Sequence, residues 1–199
     1  MRKTSPALLR FHPATPNRWR DLEQLFGERG ACGGCWCMAW RLNHSQFEKQ
    51  KGSGNKKALR RLVRSGRVPG VLAYAGGSPV GWCSVAPRPE FSFLERSRVL
   101  APVDERPVWS VTCLFVARPF RRRGLSAKLL KAAVGLVRRQ GGRIVEGYPV
   151  EVAKGVLPDV FVWTGLAAAY RRAGFREAAR RSATRPIMRY YIGGRRGKS

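Results

Sequence analysis

Three consecutive arginines and a glycine, Arg121, Arg122, Arg123 and Gly124, lie between an apolar run, Trp109 to Val116, and a stretch of helical periodicity, Ala127 to Arg139. These residue types at that junction specify an anion site. A strand that opens into a helix N-terminus presents backbone N–H groups that no intrahelical carbonyl can accept. The helix dipole adds about half a positive charge there. Together they favour a phosphate or pyrophosphate. Gly124 lets the backbone approach an oxyanion closely, and the arginines add fixed charge beside it. Neither G-x-x-x-x-G-K-[ST] nor a G-x-G-x-x-G following a strand occurs, so the two commonest phosphate loops are excluded.

A second group of reactive side chains is Cys32, Cys35 and Cys37, interleaved with Trp36, Met38 and Trp40. C-x-x-C-x-C offers three soft ligands, and His44 could complete a zinc set. A structural zinc site usually draws on two separated ligand pairs, and no second C-x-x-C exists, so no metal is expected. A redox C-x-x-C would need a thioredoxin-like setting that this segment lacks. The remaining reading is packing, with Cys, Trp and Met acting as buried apolar groups.

The loop reads R-x-x-G-x-S (Arg121, Gly124, Ser126) after a strand ending L-x-V (Leu114, Val116). This resembles motif A of the GNAT superfamily of acyl-CoA-dependent N-acyltransferases, usually written [RQ]-x-x-G-x-[GA], with Ser126 in the last small position. Further on, a short helix ending Tyr170-Arg171-Arg172-Ala173-Gly174-Phe175 resembles motif B, which ends Y-x-x-x-G-F. The resemblance spans roughly residues 71–191. It implies a mixed, mostly antiparallel sheet with helices on both faces and a splay between the motif A strand and the next one. It implies acetyl-CoA as co-substrate. Its pantetheine arm would lie against Leu114, Phe115 and Val116, and its pyrophosphate on Arg121, Arg122, Arg123, Gly124, Leu125 and Ser126. Val145 to Gly147 would line the opposing strand. The acetyl group would pass directly to an amine, with Tyr170 as the donor to the departing thiolate. The family's strand glutamate falls on Ser110, which cannot be the base. Glu146 is the first candidate in its place, with Glu90, Asp104 and Glu105 behind it. The segment 28–54 would cover the acceptor, with Trp36, Met38 and Trp40 as candidate pocket walls.

The elements needed to position these groups can be read along the chain. Leu8 to His12 predicts a strand, and Asn17 a cap for a helix ending at Phe26. Asn43 to Gly54 reads as loop or weak helix. Asn55 reads as the cap of a second helix stopped by Gly66. Two apolar runs flanking Gly76-Gly77 predict a hairpin. After the motif A helix come a strand at 143–148, an irregular stretch from Pro149 to Trp163, and a helix capped by Thr164 and ended by Gly174. A closing strand pair follows, then a basic tail at 193–199.

The chain has 199 residues, enough for one domain with a real core. No apolar stretch approaches a membrane span, the start does not read as a secretory signal, and five cysteines, an odd number, suit a reducing compartment. A soluble, cytoplasmic enzyme is the expectation. Net charge is +27, which would draw anions such as CoA or nucleic acid. The alternative function is therefore a GNAT-like binding protein that contacts nucleic acid or the ribosome. The acceptor amine, small molecule or peptide, is not set by these motifs, and a homodimer is left open.

Overall fold

The computed structural model describes residues 8–152 and 162–193. The basic tail beyond Gly193 and the middle of the Pro149–Trp163 stretch lie outside the described residues. Seven strands form one sheet: β1 (Leu9–Pro13), β2 (Gly70–Ala75), β3 (Ser78–Pro87), β4 (Trp109–Val116), β5 (Ile144–Gly147), β6 (Arg176–Arg180) and β7 (Pro186–Tyr191), in the order β1-β2-β3-β4-β5-β7-β6. Every neighbouring pair is antiparallel except β4 and β5, which are parallel. The helices are α1 (Trp19–Phe26), α2 (His44–Lys49), α3 (Ser53–Arg64), α4 (Ser92–Arg96), α5 (Leu125–Arg139) and α6 (Ala167–Ala173).

Helices cover both faces, so the central strands are buried at nearly every position instead of alternating with exposed residues, and a few polar side chains (Ser84, Ser110, Thr112, Glu146) are buried with them. β2 is buried throughout. Its Val71, Ala73 and Ala75 join the core under α5 and α6, while Leu72 and Tyr74 join the core under α1 and α3. α5 is amphipathic and buries Leu125, Leu129, Leu130, Ala133 and Val137 on the first of these. It starts two residues before the predicted Ala127. Gly124 stands just before it in the left-handed conformation at φ 76°.

Three predicted caps are corrected. Asn17 lies inside a 3-10 turn (Pro16–Arg18) that precedes α1, and neither Thr15 nor Arg18 caps with its side chain. Asn55 is fully buried inside α3, where its Nδ2 donates to the carbonyls of Gly34 and Phe47. Thr164 is buried before α6, whose preceding residue is Leu166. Asn43 is a true cap: its Oδ1 accepts from the Gln46 amide at 2.8 Å and starts α2.

Candidate active site

The parallel β4–β5 ladder lasts for three pairs, Trp109↔Val145, Ser110↔Glu146 and Val111↔Gly147. Beyond Val111, β4 runs on to Val116 without β5. A bulge at Thr112 marks the point of departure: β3 pairs Val85 with Val111 and Ser84 with Cys113, leaving Thr112 extra. The opening is bridged by a short turn, residues 162–166. Leu114 donates its amide to the Trp163 carbonyl at 2.7 Å on one side. On the other, Val150 donates to the Gly165 carbonyl and pairs with Leu166. The Leu114 amide expected to face a pantetheine arm is thus engaged by the chain itself, and the Val116 carbonyl accepts from Arg121 Nε at 2.9 Å.

The turn expected to seat an anion joins β4 to α5. After a 3-10 turn (Arg118–Phe120), Arg122 takes a left-handed φ of 59° and Gly124 follows at 76°. The amides of Gly124, Leu125, Ser126 and Ala127 have no backbone acceptor among the described residues. They head a fifteen-residue helix, so donors and dipole act together. Arg122 and Arg123 are exposed beside them, and Ser126 is half-buried in the first turn.

Tyr170 reaches this opening from α6. It is fully buried, and its hydroxyl donates to the Thr164 carbonyl at 3.0 Å. Its ring lies against Gly147, the last residue of β5, and against Gly165. A Cβ built on Gly147 would stand 2.2 Å from the ring, so only glycine admits the tyrosine there. Burial pushes the Tyr170 phenol well above its ordinary value.

Glu146 occupies a different setting. It is completely buried and accepts from Arg88 Nη1 at 3.2 Å, the Tyr148 hydroxyl at 2.7 Å and Arg189 Nε at 2.7 Å. Arg88 also donates to the carbonyls of Leu94 and Leu100, and Arg189 to Asp104. Ser110, buried across the ladder, lies 2.8 Å from the Tyr148 hydroxyl. Since the Tyr148 proton goes to Glu146, Ser110 is the donor in that contact. Both oxygens of Glu146 are therefore committed to pairing. Glu90 pairs with Arg41 at 2.6 Å, and Asp104 also holds Arg106, while Glu105 is exposed.

The three candidate pocket residues separate. Trp36 stacks on Trp19 and meets Phe26 edge-on, and Met38 joins the same core beneath α1 and α3. Trp40 stacks on Phe93 at 4.9 Å and lies near Tyr148 (5.6 Å) and Trp163 (5.3 Å), whose carbonyl holds Leu114. Next to it, buried Arg41 lies 4.5 Å over the Phe91 ring. Its Nε and Nη2 have no partner among the described residues. Sequence reasoning passed over Arg41, Phe93, Tyr148 and Trp163, which are scattered over more than a hundred positions. Among the described residues no three His, Cys, Asp or Glu side chains are placed to hold a metal ion, and no helix is long and apolar enough to cross a membrane.

A parallel strand pair that opens beside a bare helix N-terminus, inside a sheet of this order, defines the class of N-acetyltransferase folds. The model of the acetyltransferase (GNAT) family matches residues 36–152, and the chain belongs to that family. No curated protein matches it. Among solved structures it is similar to a GNAT-family acetyltransferase from Streptococcus agalactiae, with 13% identity, 94% of this chain and 96% of that one covered, and TM-score 0.55. It is also similar to the PaiA N-acetyltransferase of Thermoplasma acidophilum in complex with coenzyme A (12%, 93% and 99%, 0.52). A third is YncA of Salmonella typhimurium with acetyl-CoA (11%, 94% and 96%, 0.51). At these identities the likeness is one of fold.

Proposed function

We propose that the protein transfers an acetyl group from acetyl-CoA to an amine by direct attack while both are bound. The observation that carries this reading is the opening of β4 from β5 beside the unpaired amides of residues 124–127. The coenzyme A and acetyl-CoA found in the PaiA and YncA structures support the choice of donor. The pyrophosphate would rest on those amides with Arg122 and Arg123 nearby. The pantetheine arm would take the place of the Trp163 carbonyl on Leu114. Holding donor and acceptor together can contribute on the order of 7–11 kcal/mol to lowering the barrier.

In this reading Tyr170 turns its hydroxyl from the Thr164 carbonyl to the departing sulfur. A phenol is already a weaker acid than a thiol, about 10 against 8.5, and burial raises Tyr170 further. Its part is a hydrogen bond that strengthens as charge builds on sulfur, with full proton transfer left to solvent. Glu146 is a positioning residue that ties β5 and β7 to the turn after β3 through Arg88, Arg189 and Tyr148, since both its oxygens are already paired with them. Trp40, Phe93 and Trp163 line the acceptor side. The test is acetyl-CoA-dependent thiol release against a panel of small amines and peptides. Acceptor-dependent release supports the reading. A protein that neither binds CoA nor releases thiol with any amine overturns it.

A further inference from the structure

The cysteines left over from packing form a connected group. Cys37 is buried, and its thiol donates to Cys113 Sγ at 3.2 Å, across 76 residues of sequence. Cys113 lies on β4 just past the bulge and is half-buried. The Trp82 indole donates to Cys37 Sγ at 2.7 Å and fixes that sulfur in place. Cys35, also half-buried and two residues before Cys37, donates to the Gly30 carbonyl at 3.5 Å. Cys32 is exposed. Trp36 and Cys37 are held at φ 42° and 53°, a conformation that costs an L-residue about 1–2 kcal/mol. The Trp36 ring, wedged between Trp19 and Phe26, sustains it and turns Cys37 inward to β4.

We propose that Cys35, Cys37 and Cys113 form a thiol–disulfide exchange site. It takes a small disulfide as oxidant and ends as a Cys37–Cys113 bond joining the cysteine loop to β4. Cys35 attacks one sulfur of the small disulfide, a mixed disulfide forms, and the first small thiolate leaves and takes a proton from water. Cys37 gives up its proton and attacks the Cys35 sulfur, expelling the second small thiolate. Cys113 then loses its proton and attacks Cys37, releasing Cys35 as it began. Two protein thiols are oxidised to one disulfide, and one small disulfide is reduced to two thiols.

The division of labour follows from the environments. When Cys35 ionises, the one Cys37 proton turns from Cys113 to it, and that contact brings Cys35 down to about 6, which suits it to open the exchange as a thiolate. Burial pushes Cys37 up, which suits an inner resolving thiol over a first nucleophile. From 3.2 Å the two inner sulfurs need to close only to about 2.05 Å. The inference stands apart from acetyl transfer and does not depend on it.

The test treats the reduced full-length protein with oxidised glutathione at neutral pH. The protein is then denatured, alkylated and mapped by mass spectrometry. The expected result is two of the five thiols protected, one proteolytic peptide pair joining Cys37 to Cys113, and full reversal by dithiothreitol. Cys35→Ser should slow the reaction at least about tenfold, because it removes the thiol that opens the exchange. Cys113→Ser should stop at a Cys35 mixed disulfide or a Cys35–Cys37 bond. A Cys32–Cys35 pair as the end product, no Cys37–Cys113 peptide in folded wild-type protein, or an unchanged rate in Cys35→Ser would each overturn the proposal. The wild-type map decides the matter even if a variant fails to fold.

Discussion

The two sides of the opening are built in contrasting ways. The side proposed to hold the donor is one continuous piece of chain: β4, the arginine turn and α5 follow one another from Trp109 to Arg139. The side proposed for the acceptor is gathered from four separate segments that supply Trp40 and Arg41, Phe91 and Phe93, Tyr148, and Trp163. Behind it the Arg88–Glu146–Arg189 network crosses β5 and β7 and the turn after β3. A local site is specified by spacing. A distributed one is specified by packing, and its stability and its function draw on the same contacts. Lesions in the donor side should therefore cost ligand affinity, and lesions behind the acceptor side should cost folding.

The sharpest test of that contrast is Glu146→Ala. It removes the carboxylate shared by two buried guanidinium groups, leaving Arg189 only Asp104 and Arg88 only the partly exposed Glu95. Breaking a buried pair in this way costs about 3–5 kcal/mol. For a domain of this size each kcal/mol lowers Tm by about 2–4 °C, so a drop of about 6–20 °C is expected in thermal unfolding. A shift smaller than about 3 °C would show that the network does not hold the sheet. Gly124→Val is the donor-side counterpart. Nothing lies within 4 Å of a Cβ at that position, so packing is not disturbed. The cost is the left-handed backbone, about 1–2 kcal/mol, plus a branched wall at the anion seat. CoA affinity measured by calorimetry should fall about tenfold or more, equivalent to about 1.4 kcal/mol. Unchanged affinity would remove residues 124–127 from the ligand site.

The same contrast explains what could be read from the sequence. Arg121, Gly124 and Ser126 follow an apolar strand and precede a helix whose periodicity is plain, so strand, turn and helix were all foreseen, with α5 two residues longer than expected. Gly174 ends α6 as its type requires. The misplaced caps share one cause. Asn17, Asn55 and Thr164 have the right side chains for capping, but tertiary contacts claimed Asn55 and Thr164 for buried hydrogen bonds to other segments, and a 3-10 turn absorbed Asn17. The spacing of Trp36, Met38 and Trp40 gave no sign that Trp40 would leave the other two, because the division arises from left-handed turns at Trp36 and Cys37. Glu146 sits in a short strand of ordinary composition, and its two arginine partners are 58 and 43 positions away.

Tyr170 lies where the two sides meet, and Tyr170→Phe separates their contributions. The ring keeps its place against Gly147 and Gly165, and only the hydroxyl is lost. Stability should fall by about 1 kcal/mol for the missing hydrogen bond to the Thr164 carbonyl. Turnover should fall at least about tenfold, less than the roughly 10²–10⁴-fold of a full proton donor because Tyr170 supplies only a strengthening hydrogen bond, while CoA binds nearly as before. Steady-state kinetics beside a CoA titration check this. Unchanged turnover would reduce Tyr170 to a packing residue and leave the opening without its donor.

The smallest expected effect tests whether the acceptor-side segment can be disturbed without reaching the donor side. Asn43 caps α2, a six-residue helix too short to persist unaided. The cap accepts from the Gln46 amide, and the Phe47 carbonyl in that helix accepts from the buried Asn55 of α3, which also holds Gly34 of the cysteine loop. Asn43→Ala removes the cap at a cost of about 1 kcal/mol. Its consequence should stay within the stretch that joins α2, α3 and the cysteine loop, giving a Tm lower by about 2–4 °C. CoA affinity should be unchanged, because α2 is separated from the β4–α5 turn by the core under α1 and α3. Hydrogen exchange would show faster opening in residues 43–55 and none in α5. A matching loss of CoA affinity would mean that the segment transmits strain through Cys37 to β4, and the division between a local donor side and a distributed acceptor side would fail at that contact.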